Sequence, residues 1–125
     1  MERKILVLLA DDSAAMRASL RALLNDQDDL CVVAEACNGQ AALAQAQEVR
    51  PHVLVMDLQM PAMDGLAVLK ALRSSSLAGL PVILISASLC QVIREQALEA
   101  GAYAVLGKEE LDTVPDLIRA AARGK

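Results

Sequence analysis

Five short apolar runs, each followed by a stretch of helical periodicity, restrict this chain more than any other feature. The runs lie at Lys4–Leu9, Leu30–Glu35, Val53–Met56, Val82–Ile85 and Ala102–Leu106 and draw on Val, Ile and Leu. All are bounded by polar, Pro or Gly positions, as strands buried on both faces of a parallel sheet are. Between them, Met16, Leu20, Leu23 and Leu24 share one face of a helix capped by Ser13. Leu43, Ala46 and Val49 mark a second helix, entered after Asn38 and ended before Pro51. Leu66, Leu69 and Leu72 mark a third, opened by Asp64. A fourth spans Leu89–Ala100, with Gly101 as its stop. Pro115 is tolerated only in a first turn. The fifth helix therefore begins near Val114 behind a Thr113–Asp116 capping pair, with Leu117, Ile118 and Ala121 inward. Strand then helix, five times over, predicts a single α/β domain over residues 1–125: a parallel sheet with helices on both faces.

Composition narrows the function. A chain of 125 residues can bury a core without a disulfide or metal staple. Hydrophobic residues make up 55%, yet there is no Phe or Trp and only one Tyr. An aromatic platform for stacking bases or sugars is therefore excluded. Twelve basic residues face sixteen acidic ones, with no Lys/Arg stripe, which argues against direct nucleic-acid binding. No apolar run approaches the ~20 residues of a membrane span. Asp11 and Asp12 cut short what could otherwise begin a signal peptide. Cys31, Cys37 and Cys90 are odd in number and lack CxxC spacing, so they read as small buried hydrophobes of a reducing compartment. The expectation is a soluble cytoplasmic domain with no membrane contact.

In open α/β sheets, chemistry sits where the carboxyl ends of the strands meet the loops. Asp11 and Asp12 follow the first strand, Asp57 the third, Ser86 the fourth and Lys108 the fifth. Alone, each has an ordinary reading as a helix-entry pair, a strand-end cap, a loop hydroxyl or a solvated lysine. Together they put three carboxylates, a hydroxyl and an ammonium on one edge. Crowded carboxylates repel, and burial sharpens the cost. A hard cation relieves it, and Mg²⁺ favours one or two carboxylates with waters and phosphate oxygens. Mg²⁺, an ammonium and a hydroxyl suit a phosphoryl group, and Asp57 is the best placed carboxylate to accept one.

The residues that carry a family likeness are Asp11-Asp12-Ser13, Val55-Met56-Asp57-Leu58-Gln59-Met60-Pro61-Ala62-Met63-Asp64-Gly65, Pro81-Val82-Ile83-Leu84-Ile85-Ser86-Ala87, Ala100-Gly101-Ala102 and Lys108. With them, and in their order, the whole chain resembles a receiver domain of the two-component response regulators. The stretch around Asp57 is the specific part. The resemblance implies a flavodoxin-like (βα)5 doubly wound sandwich. It implies Asp57 as phosphoacceptor, and Mg²⁺ held by Asp12, Asp11, Asp57 and the carbonyl of Gln59. Ser86 and Lys108 would contact the phosphoryl group, and Ala87 would leave access open. The donor would be a sensor histidine kinase or phosphotransfer protein, and self-association would use the face of helix four, strand five and helix five. His52, the sole histidine, reads as a surface residue rather than a donor.

Two positions depart from the family pattern. Glu109 follows Lys108 where Pro is common, a feature shared by some transcriptional regulators with a helix-turn-helix output. Val105 stands where a switch aromatic is usual, with Tyr103 two residues earlier and, by the period of two, on the same strand face. The expected output is transcription regulation, with the chain a fragment cut after Lys125; a stand-alone receiver is the alternative. A phosphate-independent binding module would have lost an acid or the lysine. A small aspartyl phosphohydrolase would need an acid at Gln59 and a cap domain.

Overall fold

A computed structural model describes residues 3–124 of the chain. The ends of the expected 1–125 domain, Met1, Glu2 and Lys125, lie outside those described residues. Strand and helix alternate as the pattern predicts. The order is β1 (Ile5–Ala10), α1 (Ala14–Asn25), β2 (Leu30–Ala36), α2 (Gly39–Val49), β3 (Val53–Asp57), α3 (Gly65–Arg73), β4 (Val82–Ser86), α4 (Gln91–Glu99), β5 (Ala104–Gly107) and α5 (Val114–Ala122). The sheet runs β2-β1-β3-β4-β5 and is parallel throughout. The chain therefore leaves β1 toward one edge and returns to build β3 on its other side. Helices α1 and α5 cover one face; α2, α3 and α4 cover the other. This is the flavodoxin-like fold.

Because successive strand residues point to opposite faces, each strand feeds two cores. Leu8, Leu54, Met56 and Leu84 pack with Ala42, Val68, Leu69, Leu72 and Ala97. Val7, Leu9, Val55, Ile83 and Ile85 pack with Leu20, Leu24, Val114 and Ile118. Each such Leu or Ile, taken fully out of water, contributes about 2 kcal/mol. The predicted caps form: Ser13, Asn38 and Asp64 accept the N–H groups of Met16, Ala41 and Ala67 at 3.2, 2.8 and 2.9 Å.

Several expectations need correction. All five strands end one residue beyond the apolar runs, so Asp57, Ser86 and Gly107 are strand residues. Ladder hydrogen bonds are made by backbone and continue after the apolar pattern stops. β5 starts at Ala104, because Gly101, at φ +105°, turns the chain first, and Tyr103 donates its N–H to the Val82 carbonyl at 2.8 Å. Tyr103 thus precedes the regular strand and escapes its alternation. It packs with the α1/α5 core, whereas Val105 packs on the α4 side. The two do not share a face. Thr113 does not cap α5; its hydroxyl donates to the Glu110 carbonyl at 2.7 Å within a 3-10 turn, Lys108–Thr113, that the pattern did not reveal. Helix α4 spans only Gln91–Glu99 and fully buries Ala97 alone. Nor are the cysteines buried: Cys31 is half-buried, while Cys37 after β2 and Cys90 before α4 are exposed, because both sit in loops. No helix among the described residues is long and apolar enough to cross a membrane.

Candidate functional site

Sheet register assembles the site. Ala10, at the end of β1, pairs with Met56 of β3, so Asp11 and Asp12 emerge beside Asp57. On the other side Asp57 pairs with Ile85, and Ser86 pairs with Gly107, the residue before Lys108. Carboxylate oxygens of Asp11, Asp12 and Asp57 all lie within 4.8 Å of one another. Lys108 Nζ lies 3.9 Å from Asp57 Oδ2. Asp11 and Asp57 are only 2% and 6% exposed, and Ser86 is fully buried; Asp12 is exposed.

Each buried carboxylate is held by a local N–H. Asp11 Oδ1 accepts from Ser13 at 2.8 Å and Asp57 Oδ1 from Gln59 at 3.1 Å. Gln59 is therefore tied to the site through its N–H, a contact that the sequence does not announce. Ser86 Oγ accepts from the N–H of Ser88 at 3.1 Å, which shapes the loop that carries exposed Ala87. The β3–α3 loop closes tightly: the N–H of Gly65 donates to Leu58 at 2.7 Å, and a Cβ there would lie 2.9 Å from Leu58 Cα. Glycine is required for that approach.

Burial pushes the Asp57 carboxyl above its usual range; the neighbouring charges of Asp11 and Asp12 add to this, and Lys108 and the Gln59 N–H oppose it. Burial likewise raises Asp11, against the Ser13 N–H and Lys108. One ammonium does not balance three carboxylates. The donor set, all hard oxygens with one acid open to solvent, fits a small divalent cation. His52 is remote from this chemistry; it is exposed, and its Nδ1 accepts the N–H of Leu6 at 2.8 Å.

Residues 7–121 match the model of the response regulator receiver domain. The chain belongs to that family. Its fold superposes on the signal receiver domain of NarL from Mycobacterium tuberculosis with a TM-score of 0.93 and 34% identity, over 99% of this chain and 100% of that one. For the response regulator domain of Thermotoga maritima CheB the values are 0.89 and 31%, over 97% and 98%. In sequence, a protein-glutamate methylesterase/protein-glutamine glutaminase of Syntrophomonas wolfei is 46% identical over 75% of this chain. One from Rhodopseudomonas palustris is 35% identical over 96%. The receiver spans only 26% and 33% of those two relatives' lengths.

Sequence reasoning overlooked Arg17. Its Nη1 donates to the Asp11 carbonyl at 2.6 Å, and its Nε to Glu35 at 3.2 Å. The available signal was a cation near the start of α1, where the helix dipole disfavours one unless a local acceptor compensates.

Proposed function

We propose that this receiver is a phosphoacceptor switch, with residues 1–125 as one module and Asp57 as the acceptor. The observation that carries this reading is the three-carboxylate cluster with Lys108 Nζ 3.9 Å from Asp57. Asp11, Asp12, Asp57 and the Gln59 carbonyl would hold Mg²⁺, which when bound offsets the charge of the cluster and of a phosphoryl group. An Asp57 carboxylate oxygen attacks the phosphorus of a phosphohistidine on a sensor kinase or phosphotransfer protein. The O–P bond forms as the P–N bond breaks, and the imidazole nitrogen keeps the electron pair. Lys108 offers its ammonium to a phosphoryl oxygen, and the Ser86 hydroxyl donates to another. Ala87 leaves the approach open. The domain assists only its own phosphorylation and dephosphorylation, in the cytoplasm, and binds neither nucleic acid nor membrane itself.

Added charge at Asp57 draws the Ser86–Ala87–Ser88 loop and α4, and so changes the α4–β5–α5 face, through which two copies associate. Transcription regulation rests on Glu109, the departure shared with some regulators that carry a helix-turn-helix output. A second output has support in the methylesterase relatives: in a protein built as they are, this switch would control an effector enzyme.

The test is labelling with acetyl phosphate and Mg²⁺, followed by intact and peptide mass spectrometry. Wild type should gain one acid-labile phosphate on Asp57, and Asp57→Asn and Asp12→Ala should gain none. Phosphate on Ser86 or Ser88, or undiminished labelling without divalent metal, overturns the assignment.

A further inference from the structure

The acid loop is gripped from three directions. The Asp11 N–H donates to the Ala36 carbonyl of β2 at 3.0 Å, and its carboxylate accepts from Ser13 at 2.8 Å. Its carbonyl accepts from Arg17 Nη1 at 2.6 Å. That carbonyl belongs to the peptide joining Asp11 to Asp12, so its direction sets where the Asp12 side chain leaves the backbone. Asp12 is the one exposed member of the cluster. The orientation of its peptide therefore constrains where it points.

Arg17 is itself oriented. Its side chain is only 20% exposed, and Nε donates to Glu35 Oε1 at 3.2 Å. The other oxygen of Glu35 takes Arg21 from the next turn of α1. One carboxylate on β2 thus fixes the guanidinium in the plane from which Nη1 reaches the acid loop. A lysine point charge would hold that geometry less well than the planar fork does.

We propose that Arg17, aligned by Glu35, is a positioning residue for the divalent-cation site: it presets the Asp11–Asp12 peptide so that both carboxylates meet the ion without rearrangement. The inference rests on the metal site proposed above. Partners beyond the ligands ordinarily change metal affinity by about 10–100-fold, and one acting through main chain belongs at the lower end. Arg21 supplies the control, since it pairs with the same Glu35 and donates nothing to the acid loop.

The experiment measures Mg²⁺ affinity by titration calorimetry on unphosphorylated protein, with thermal melts run in parallel. Arg17→Ala should weaken Mg²⁺ binding about tenfold, while Arg21→Ala stays within twofold of wild type. Arg17→Lys should recover part of the loss. If Arg17→Ala does not fold, Glu35→Ala keeps the cation but removes its acceptor, and should weaken binding at least threefold against Arg21→Ala. A difference under threefold between the Arg17 or Glu35 variant and Arg21→Ala overturns the inference, however the melting temperatures compare. The underlying site is tested separately: if wild type binds no Mg²⁺, or Asp12→Ala binds it equally well, that reading fails.

Discussion

Asp57 carries a conflict between place and charge. It ends the central strand, 6% exposed, with two further carboxylates at its side. The folded state therefore holds its proton to higher pH than the unfolded chain does, whose ordinary value is 3.8. A raised carboxyl makes the folded state bind more protons, so its contribution is fully present below 3.8 and is lost as pH rises through the folded value. Removing the charge should therefore stabilise the metal-free protein. In EDTA, Asp57→Asn should be more stable than wild type by about 1 kcal/mol at pH 7, with the gain shrinking toward pH 4. Urea melts at several pH values check this, and no gain at pH 7 would contradict it. The amide still accepts the Gln59 N–H, so the loop is kept.

At the level of elements, α5 is tied to the α1–β2 connection by one side chain. Arg119 donates from Nε and Nη2 to the two oxygens of Asp29 at 2.7 and 2.9 Å, from Nη2 to Gln27 at 2.7 Å, and from Nη1 to Asp116 at 2.9 Å. The pair is partly solvated, so Arg119→Ala should cost only about 1 kcal/mol. The guanidinium beside Asp29 holds its carboxyl below 3.8. That stabilisation is complete above 3.8 and fades as pH falls through the lower folded value. The cost of the substitution should thus be constant from pH 7 to 5 and smaller below pH 4; thermal melts of both proteins decide it, and a cost that grows in acid counts against the tie. By contrast α4 is weakly anchored, with Ala97 as its fully buried residue and Arg94 Nη1 donating to the Val105 carbonyl at 2.8 Å. An element held so lightly is the one most readily displaced.

For the whole molecule, the proposed switch requires a surface that responds to the site. Val92 and Leu98 on α4 are 61% and 46% exposed, and α4 packs against β5. Acetyl phosphate with Mg²⁺ should drive self-association of wild type and of Tyr103→Ala, since Tyr103 packs against the opposite core from Val105. Ser86→Ala should respond weakly. Sedimentation velocity distinguishes these outcomes; loss in the tyrosine variant, or a full response in the serine variant, contradicts this route. The sequence alone determined the five strand–helix units, their caps at Ser13, Asn38 and Asp64, and the carboxyl-edge address of Asp11, Asp12, Asp57, Ser86 and Lys108. Apolar periodicity and capping are local properties, set by neighbours three or four residues away, and the edge follows from strand direction. What only the tertiary structure decided depends on partners distant in the chain. The strands run one residue further because neighbouring backbones continue the ladder. Tyr103 changes cores because the Gly101 turn resets the alternation. Arg17 reaches the acid loop because Glu35, eighteen residues away in sequence, lies beside it across α1 and β2.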